Sequence, residues 1–144
     1  MGVDKIVSSR DLNDLRDDVR FMALAHIDCC KRESVDLLIY CTLRGNEEQA
    51  QLYAQGRTAP GKIVTNARPG QSAHNPQKDG KAAAYDCVPL RNGKPVWSAS
   101  SKEDVALWAI VVRCGESAGL EASARWTGKL KEQAHFQLKG WKPV

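Results

Sequence analysis

Several kinds of signal are missing from this 144-residue sequence, and each absence narrows what it can be. No apolar run approaches the ~20 residues that cross a bilayer. The first residues do not join a basic start to a long apolar stretch, so no secretory leader or stable membrane association is expected, and the chain is expected to be kept in the cytoplasm. The five cysteines, Cys29, Cys30, Cys41, Cys87 and Cys114, are odd in number and lack CxxC spacing. Several lie in apolar segments, which predicts buried free thiols instead of a disulfide framework. No lysine and arginine run with interleaved aromatics marks a nucleic-acid site, and the net charge of +4 is mild. Internal repeats and low-complexity segments are also absent. What remains, 42% hydrophobic and 26% charged, suits one soluble domain over residues 1–144 with a modest core.

Hydrophobic periodicity supplies the elements. Ser8 or Ser9 can cap a helix whose Leu12, Leu15, Val19 and Met22 recur at steps of three and four, running to about Cys30. His26 falls beside that stripe and reads as a core residue. The run VDLLIYCT, Val35 to Thr42, has no helical period and predicts a central strand buried on both faces, with Arg44 emerging at its end. Asn46 with Gln49 resembles a capping box for a helix closed by Gly56. Residues 57–70 carry prolines and glycines and read as loop, with a short strand at Lys62 to Thr65. Ala84 to Leu90 is a strand by pattern, and Asn92-Gly93 signals a type I′ hairpin. Alternation along that strand puts Asp86 and Tyr85 on opposite faces. Ser100 with Glu103 opens a helix carrying Val105, Trp108, Val111 and Val112. Leu120 to Arg125 and His135 to Leu138 close the chain as strands, with a turn near Gly128 between them.

Chemistry concentrates in SAHNPQKDGKAAAYD and EQAHFQL. A borderline Lewis acid such as zinc takes imidazole nitrogens and carboxylate oxygens, and a catalytic site supplies three protein ligands while leaving a fourth position open. His74, Asp86 and His135 form such a set for one Zn2+ ion. Glu132 is then a free carboxylate placed to accept a proton from water. Residues three apart in an extended strand face opposite ways, so a bend at Glu132 to Ala134 is required. Asp79 is the alternative carboxylate, but it sits in a Pro/Gly-rich loop, which favours Asp86. Singly, each residue also has a plainer reading: a structural histidine, a loop-holding aspartate, a solvated glutamate in KLKE.

SAH, AAAYD and EQAHF together resemble the zinc peptidases of the D-alanyl-D-alanine peptidase and hedgehog fold, whose pattern is Ser-x-His, Gly-x-Ala-x-Asp and Glu/Asp-x-x-His. The phage endolysins with L-alanyl-D-glutamate peptidase activity are the branch most resembled, because TLRGNEEQAQLYAQGRTAPGKIVTNARPGQSAHN and GLEASARW are similar to its flanking stretches. Two departures stand out. Asp86 follows His74 by 12 residues where the family usually has seven, and Ala82 occupies the usual glycine position. Residues 75–81, NPQKDGK, therefore read as an insertion, which a metal site tolerates if the loop closes on itself.

The resemblance implies an α+β fold, a small central and mostly antiparallel sheet flanked by helices. It further implies that Arg44 stabilises the developing oxyanion, that Ser72 supports a ligand, and that Trp126 borders the substrate cleft. The implied activity is endopeptidase cleavage of the L-alanyl-D-glutamate bond in bacterial peptidoglycan by a monomer. That enzyme would be made in a host cell and released to the wall through a holin-type pore. On the same scaffold a D,D- or L,D-carboxypeptidase is the rival, and a non-catalytic, zinc-containing wall-binding module is a second. Glu132 argues against the module, since a structural site needs no base.

Overall fold

A computed structural model describes residues 8–127 and 132–143. The opening helix expected from Ser8 onward is divided in two. Leu12–Asp14 form a 3-10 turn whose N-cap, Asp11, accepts from the Asn13 amide. Ala82 then intervenes: its amide donates to the Asp14 carbonyl, and its own carbonyl accepts from Arg16, each at 2.9 Å. That pairing holds Leu15 extended, so helix α1, Asp17–Arg32, starts only after it. Within α1, Val19, Ala23, His26 and Cys30 make the buried stripe, at the spacing one helix face requires.

Strand β1, Asp36–Cys41, pairs with β2, Ala84–Arg91. Here the expectation of a central, doubly buried strand is corrected. The sheet order is β1-β2-β5-β4, so β1 is at one end and mostly half-buried, whereas β2 is the buried strand with partners on both edges. An apolar run carries no information on which strand is innermost. The Asn92-Gly93 turn, with φ of +54° and +75°, connects β2 to the short β3, Lys94–Pro95. This is the backbone a two-residue hairpin of that type needs. Strands β4, Leu120–Ala122, and β5, His135–Leu138, complete the sheet, and every described strand ladder is antiparallel.

Helix α2, Asn46–Ala54, is capped at Gly45 without a side-chain bond, because Gln49 is buried and spends its amide on the Ala67 carbonyl at 2.8 Å. The strand expected at Lys62 to Thr65 is absent for a related reason. Side chains hold that loop's carbonyls: Gln55 donates to Lys62, and Arg57 to Thr65. Helix α3, Lys102–Ser117, takes Ser101 as its cap instead of Ser100, with the hydroxyl accepting from the Asp104 amide. After β4 the chain turns into a 3-10 segment, Ser123–Arg125, where a continuing strand was expected. The turn near Gly128 lies outside the described residues.

Helices α1 and α3 cover one face of the sheet. Tyr85 and Phe136, paired across β2 and β5, are fully buried there with Val19, Ala23, Val111 and Leu120. Burying one such aromatic contributes about 1.5–3 kcal/mol. Gly115 lets α3 approach closely, since a Cβ there would strike the Phe136 ring. His26 sits among them as a core residue, with Nε2 2.8 Å from the Val111 carbonyl and Nδ1 2.6 Å from the Tyr85 hydroxyl.

One expectation about cysteine is overturned. Cys29 on α1 and Cys114 on α3 form a disulfide, with Cα atoms 5.5 Å apart, while Cys30, Cys41 and Cys87 are free and buried. Helix packing brings together two residues 85 apart in sequence, a juxtaposition that spacing arguments do not address.

Candidate active site

The uncovered face of the sheet carries the polar residues, and strand register arranges them. Cys41, Asp86 and His135 are paired in succession across β1, β2 and β5. Residues directly opposite in antiparallel strands share a face, so the three side chains form one row. Cys41 joins it through an irregularity in β1, where the register shifts between Ile39 and Cys41. Such shifts re-aim side chains near strand ends. His74 comes from the long loop and lies over the row. Its backbone is fixed on both sides, because Arg44 donates to the His74 carbonyl at 2.9 Å and Ser72 Oγ accepts from the His74 amide at 3.2 Å.

The residues 75–81 close on themselves, as their insertion required. Gln77 and Lys81 are joined through their backbones at 2.9 Å, Gly80 donates to Gln77, and Asp79 turns its carboxylate to the Lys81 amide. Asp79 thus holds the loop. The Trp141 indole docks on Gln77 at 2.9 Å.

His74 Nε2, His135 Nδ1 and Asp86 Oδ1 converge, with separations of 3.1 Å (His74 to Asp86), 3.2 Å (His74 to His135) and 3.2 Å (His135 to Asp86). Tetrahedral zinc ligands at about 2.0–2.1 Å stand roughly 3.3 Å from one another, so this triangle has the dimensions of one face of such a site. The far side of each ring is also committed. His74 Nδ1 is 2.8 Å from the Thr42 carbonyl, and His135 Nε2 is 2.8 Å from Gln137 Oε1. An oxygen acceptor behind each ring requires N–H there and leaves a lone pair facing the other two groups, the arrangement that orients histidine ligands. The donor chemistry and the geometry therefore fit a small divalent ion. Cys41, with Sγ 3.7 Å from His74 Nδ1, also falls within reach, and the buried Cys41, His74 and Asp86 group can hold a metal ion.

Without an ion the site is strongly polarised. Burial disfavours a charged His74, but the Asp86 carboxylate outweighs it and lifts the imidazole to about 10. Burial likewise opposes the Asp86 anion, and the charge of His74 with hydrogen bonds from both rings holds it far below the usual carboxylate range. Cys41 is lowered: burial would raise the thiol, and the hydrogen bond and charge of His74 override it.

A cleft of about 580 Å³ opens over the triangle, lined by Arg44, Ser72, Trp126 and Glu132 as well as the three converging residues. All seven residues singled out in the sequence therefore meet in one place. The chain bends at Gln133 and Ala134 before β5, and the Ser123 hydroxyl donates to the Glu132 carbonyl, anchoring that backbone. The Glu132 carboxyl is raised by partial desolvation and then by the nearby Asp86 charge. Arg44 Nη2 lies 4.0 Å from Asp86 Oδ2, and its Nε is buried with no partner among the described residues. Trp126 is 38% exposed, and its ring centroid lies 5.5 Å from that of His135.

Sequence reasoning overlooks three contributors. Asn75, beside His74, is fully buried, donates to the Arg44 carbonyl and accepts from the Gly70 and Ser72 amides. Cys41 reads from the sequence only as a core thiol. Alternation places Gln137 correctly on the His135 face, but its contact with the ring carries no sequence signal.

No protein-family model matches the chain. Over 132 residues it is 30% identical to the peptidoglycan L-alanyl-D-glutamate endopeptidase CwlK of Bacillus subtilis (strain 168), a match covering 88% of this chain and 74% of that protein. Its fold is similar to the crystal structure of the Serratia marcescens L-Ala D-Glu endopeptidase ChiX, with a TM-score of 0.59 at 15% identity over 92% of this chain and 88% of that one. Among the described residues no helix is long and apolar enough to cross a membrane.

Proposed function

The chain belongs to the peptidoglycan L-alanyl-D-glutamate endopeptidase family, and from that premise we propose that it hydrolyses the L-alanyl-D-glutamate amide bond of peptidoglycan stem peptides, using one zinc ion held by His74, Asp86 and His135. The observation that carries this reading is the triangle of three donor atoms, 3.1–3.2 Å on each edge, at the base of a cleft that also contains a carboxyl group and a guanidinium. Cys41 is a neighbour of the set, because the His74 nitrogen nearest to it is already occupied by the Thr42 carbonyl.

An ion bound there supplies Lewis acidity to the scissile carbonyl and to the attacking water. Glu132 takes the proton from that water and passes it to the leaving D-glutamate amine. Partial burial and then the Asp86 charge raise its affinity for protons, the direction that suits a group which must both accept and release one. Arg44 Nε has no partner among the described residues, and its other nitrogens have only long contacts, 3.4 Å to Gln49, 3.6 Å to Cys41 and 4.0 Å to Asp86, so it retains donors for the oxygen that becomes anionic. Trp126, with Val64 and Leu52, gives the cleft apolar wall to hold the peptide in register. The lytic role in a phage-infected cell, with passage to the wall through a holin-type pore, is part of the same proposal and rests on the resemblance of the Thr42 to Asn75 stretch to the endolysin branch.

Digestion of purified peptidoglycan, followed by mass analysis of the new termini, tests the activity. A free amine on D-glutamate is the expected product. Release of free D-alanine instead would identify a carboxypeptidase, and no release by the zinc-loaded protein would leave a binding module.

A further inference from the structure

Behind the candidate zinc ligand His135 is a second ordered set of groups on the same sheet face. Ala84, Gln137 and Glu121 are paired in succession across β2, β5 and β4, one step along from the row that contains Asp86 and His135. Gln137 is 6% exposed. Its Oε1 faces His135 Nε2 at 2.8 Å, and its Nε2 donates to Glu121 Oε2 at 3.3 Å. The same Glu121 oxygen accepts from the Trp126 indole at 3.1 Å, and its other oxygen is 3.5 Å from the Gly140 amide.

The direction of this chain follows from the kind of group at its end. An ionised carboxylate can only accept hydrogen bonds. Gln137 must therefore turn its NH2 toward Glu121, which turns its carbonyl oxygen toward His135. That oxygen in turn requires a proton on His135 Nε2, and a neutral ring then carries its lone pair on Nδ1, the atom 3.2 Å from both Asp86 and His74. With an amide free to turn behind it, His135 would lose the acceptor that favours this tautomer and keep only the Asp86 carboxylate, which favours a proton on Nδ1.

We propose that Glu121 is a positioning residue for His135: acting through the Gln137 amide it sets which ring nitrogen is free to bind the ion, and through the indole of Trp126 it holds the aromatic wall beside that ring. The inference rests on the zinc reading given above, because without a cation the Asp86 carboxylate, 3.2 Å from His135 Nδ1, favours a proton on that nitrogen and opposes the Nε2–H form. Carboxylates that orient a histidine ligand directly change metal affinity about 10–100-fold when removed. Here an amide is interposed, so the carboxylate acts one residue further out. Glu121 lies just after Gly119 and Leu120, in a stretch that the sequence pattern marks only as a strand.

The experiment compares three forms: the parent, Glu121→Leu, and the exchange variant in which Glu121→Gln is combined with Gln137→Glu. The exchange keeps the donor order, since the amide moved to position 121 donates to the carboxylate moved to position 137, and that carboxylate accepts from His135. In zinc-loaded, 15N-labelled protein, the His135 Nε2–H is read by long-range 1H–15N correlation and by its rate of exchange with solvent. The parent and the exchange variant are expected to show a hydrogen-bonded Nε2–H that exchanges slowly, and Glu121→Leu one that exchanges faster. Zinc affinity, measured by competition with a chelating dye, should fall about 10–100-fold in Glu121→Leu and return in the exchange variant. A Glu121→Leu protein whose Nε2–H exchanges as slowly as the parent's and whose zinc affinity is unchanged overturns the proposal. If none of the forms binds zinc, the metalloenzyme reading fails; if all three bind it equally, that reading stands and the relay alone fails.

Discussion

Asp86 and His135 are direct partners in the β2–β5 ladder, and their facing side-chain atoms are 3.2 Å apart. The site is therefore built into the register of the sheet, and only His74 comes from a loop. An ion bound by this set would tie together β2, β5 and the residue 57–83 loop, segments that separate on unfolding. Ligand at about 100 times its Kd stabilises the folded state by about 2.7 kcal/mol. For a chain of this size that corresponds to a rise in Tm of roughly 5–10 °C. Differential scanning fluorimetry should show this rise on adding zinc and its loss on adding a chelator. Asp86→Asn, which keeps the shape and removes the anionic donor, should show no zinc-dependent shift.

Glu132→Gln separates chemistry from metal binding. The substitution keeps size and removes the proton acceptor, and loss of a general base typically lowers turnover about 10²–10⁴-fold. Zinc-dependent stabilisation should persist, because the three donor atoms do not include Glu132. Amine release from peptidoglycan gives the rate and the melting shift gives the metal. A variant that loses both would assign Glu132 to holding the ion.

How much of this is legible in the sequence depends on the type of contact involved. Alternation along Ala84 to Leu90 correctly separates Asp86 from Tyr85, because period-two geometry is local. The Asn92-Gly93 turn is legible for the same reason. The split of the first helix at Leu15 is not, since it depends on a backbone pairing with Ala82 that hydrophobic spacing cannot encode. Cys41 is invisible as a site neighbour because a register shift in β1 turns it toward Asp86. The polar residues that immobilise the loop, Gln49, Arg57 and Asn75, bond mainly to backbone, which leaves no motif to read.

The Cys29–Cys114 disulfide links α1 to α3 across a separation of 85 residues. Closing a loop of that length restricts the unfolded chain and typically contributes about 2–4 kcal/mol. Reduction, or Cys114→Ser, should therefore lower Tm by roughly 10 °C. Reductant should have no further effect on the variant. Because the link lies on the covered face of the sheet, the rate of amine release at 25 °C should change little. A large loss of activity with unchanged Tm would assign the pair a role other than tethering the helices.

His26 should make the fold acid-sensitive over a defined interval. The ring is fully buried, and its two nitrogens are used by the Val111 carbonyl and the Tyr85 hydroxyl, a pairing that satisfies one neutral tautomer. Burial lowers its pKa from 6.5 to about 4, against the raising effect of the Val111 carbonyl. In the unfolded chain the ring takes up a proton below about pH 6.5, whereas in the folded state it resists until about 4. The unfolded state thus binds more protons between these limits, and stability falls as pH is lowered through them. The contribution is complete above pH 6.5 and shrinks by about 3 kcal/mol on reaching pH 4. Urea unfolding of metal-free parent and His26→Gln at several pH values isolates this group, since every other titrating residue is common to both. The variant keeps a donor and an acceptor at that position but cannot titrate, so its stability should decline less steeply, and the two curves should converge by about 3 kcal/mol between pH 7 and 4. Parallel curves would mean that His26 takes up its proton over the same pH range in the folded and unfolded chains, so that burial does not hold it neutral.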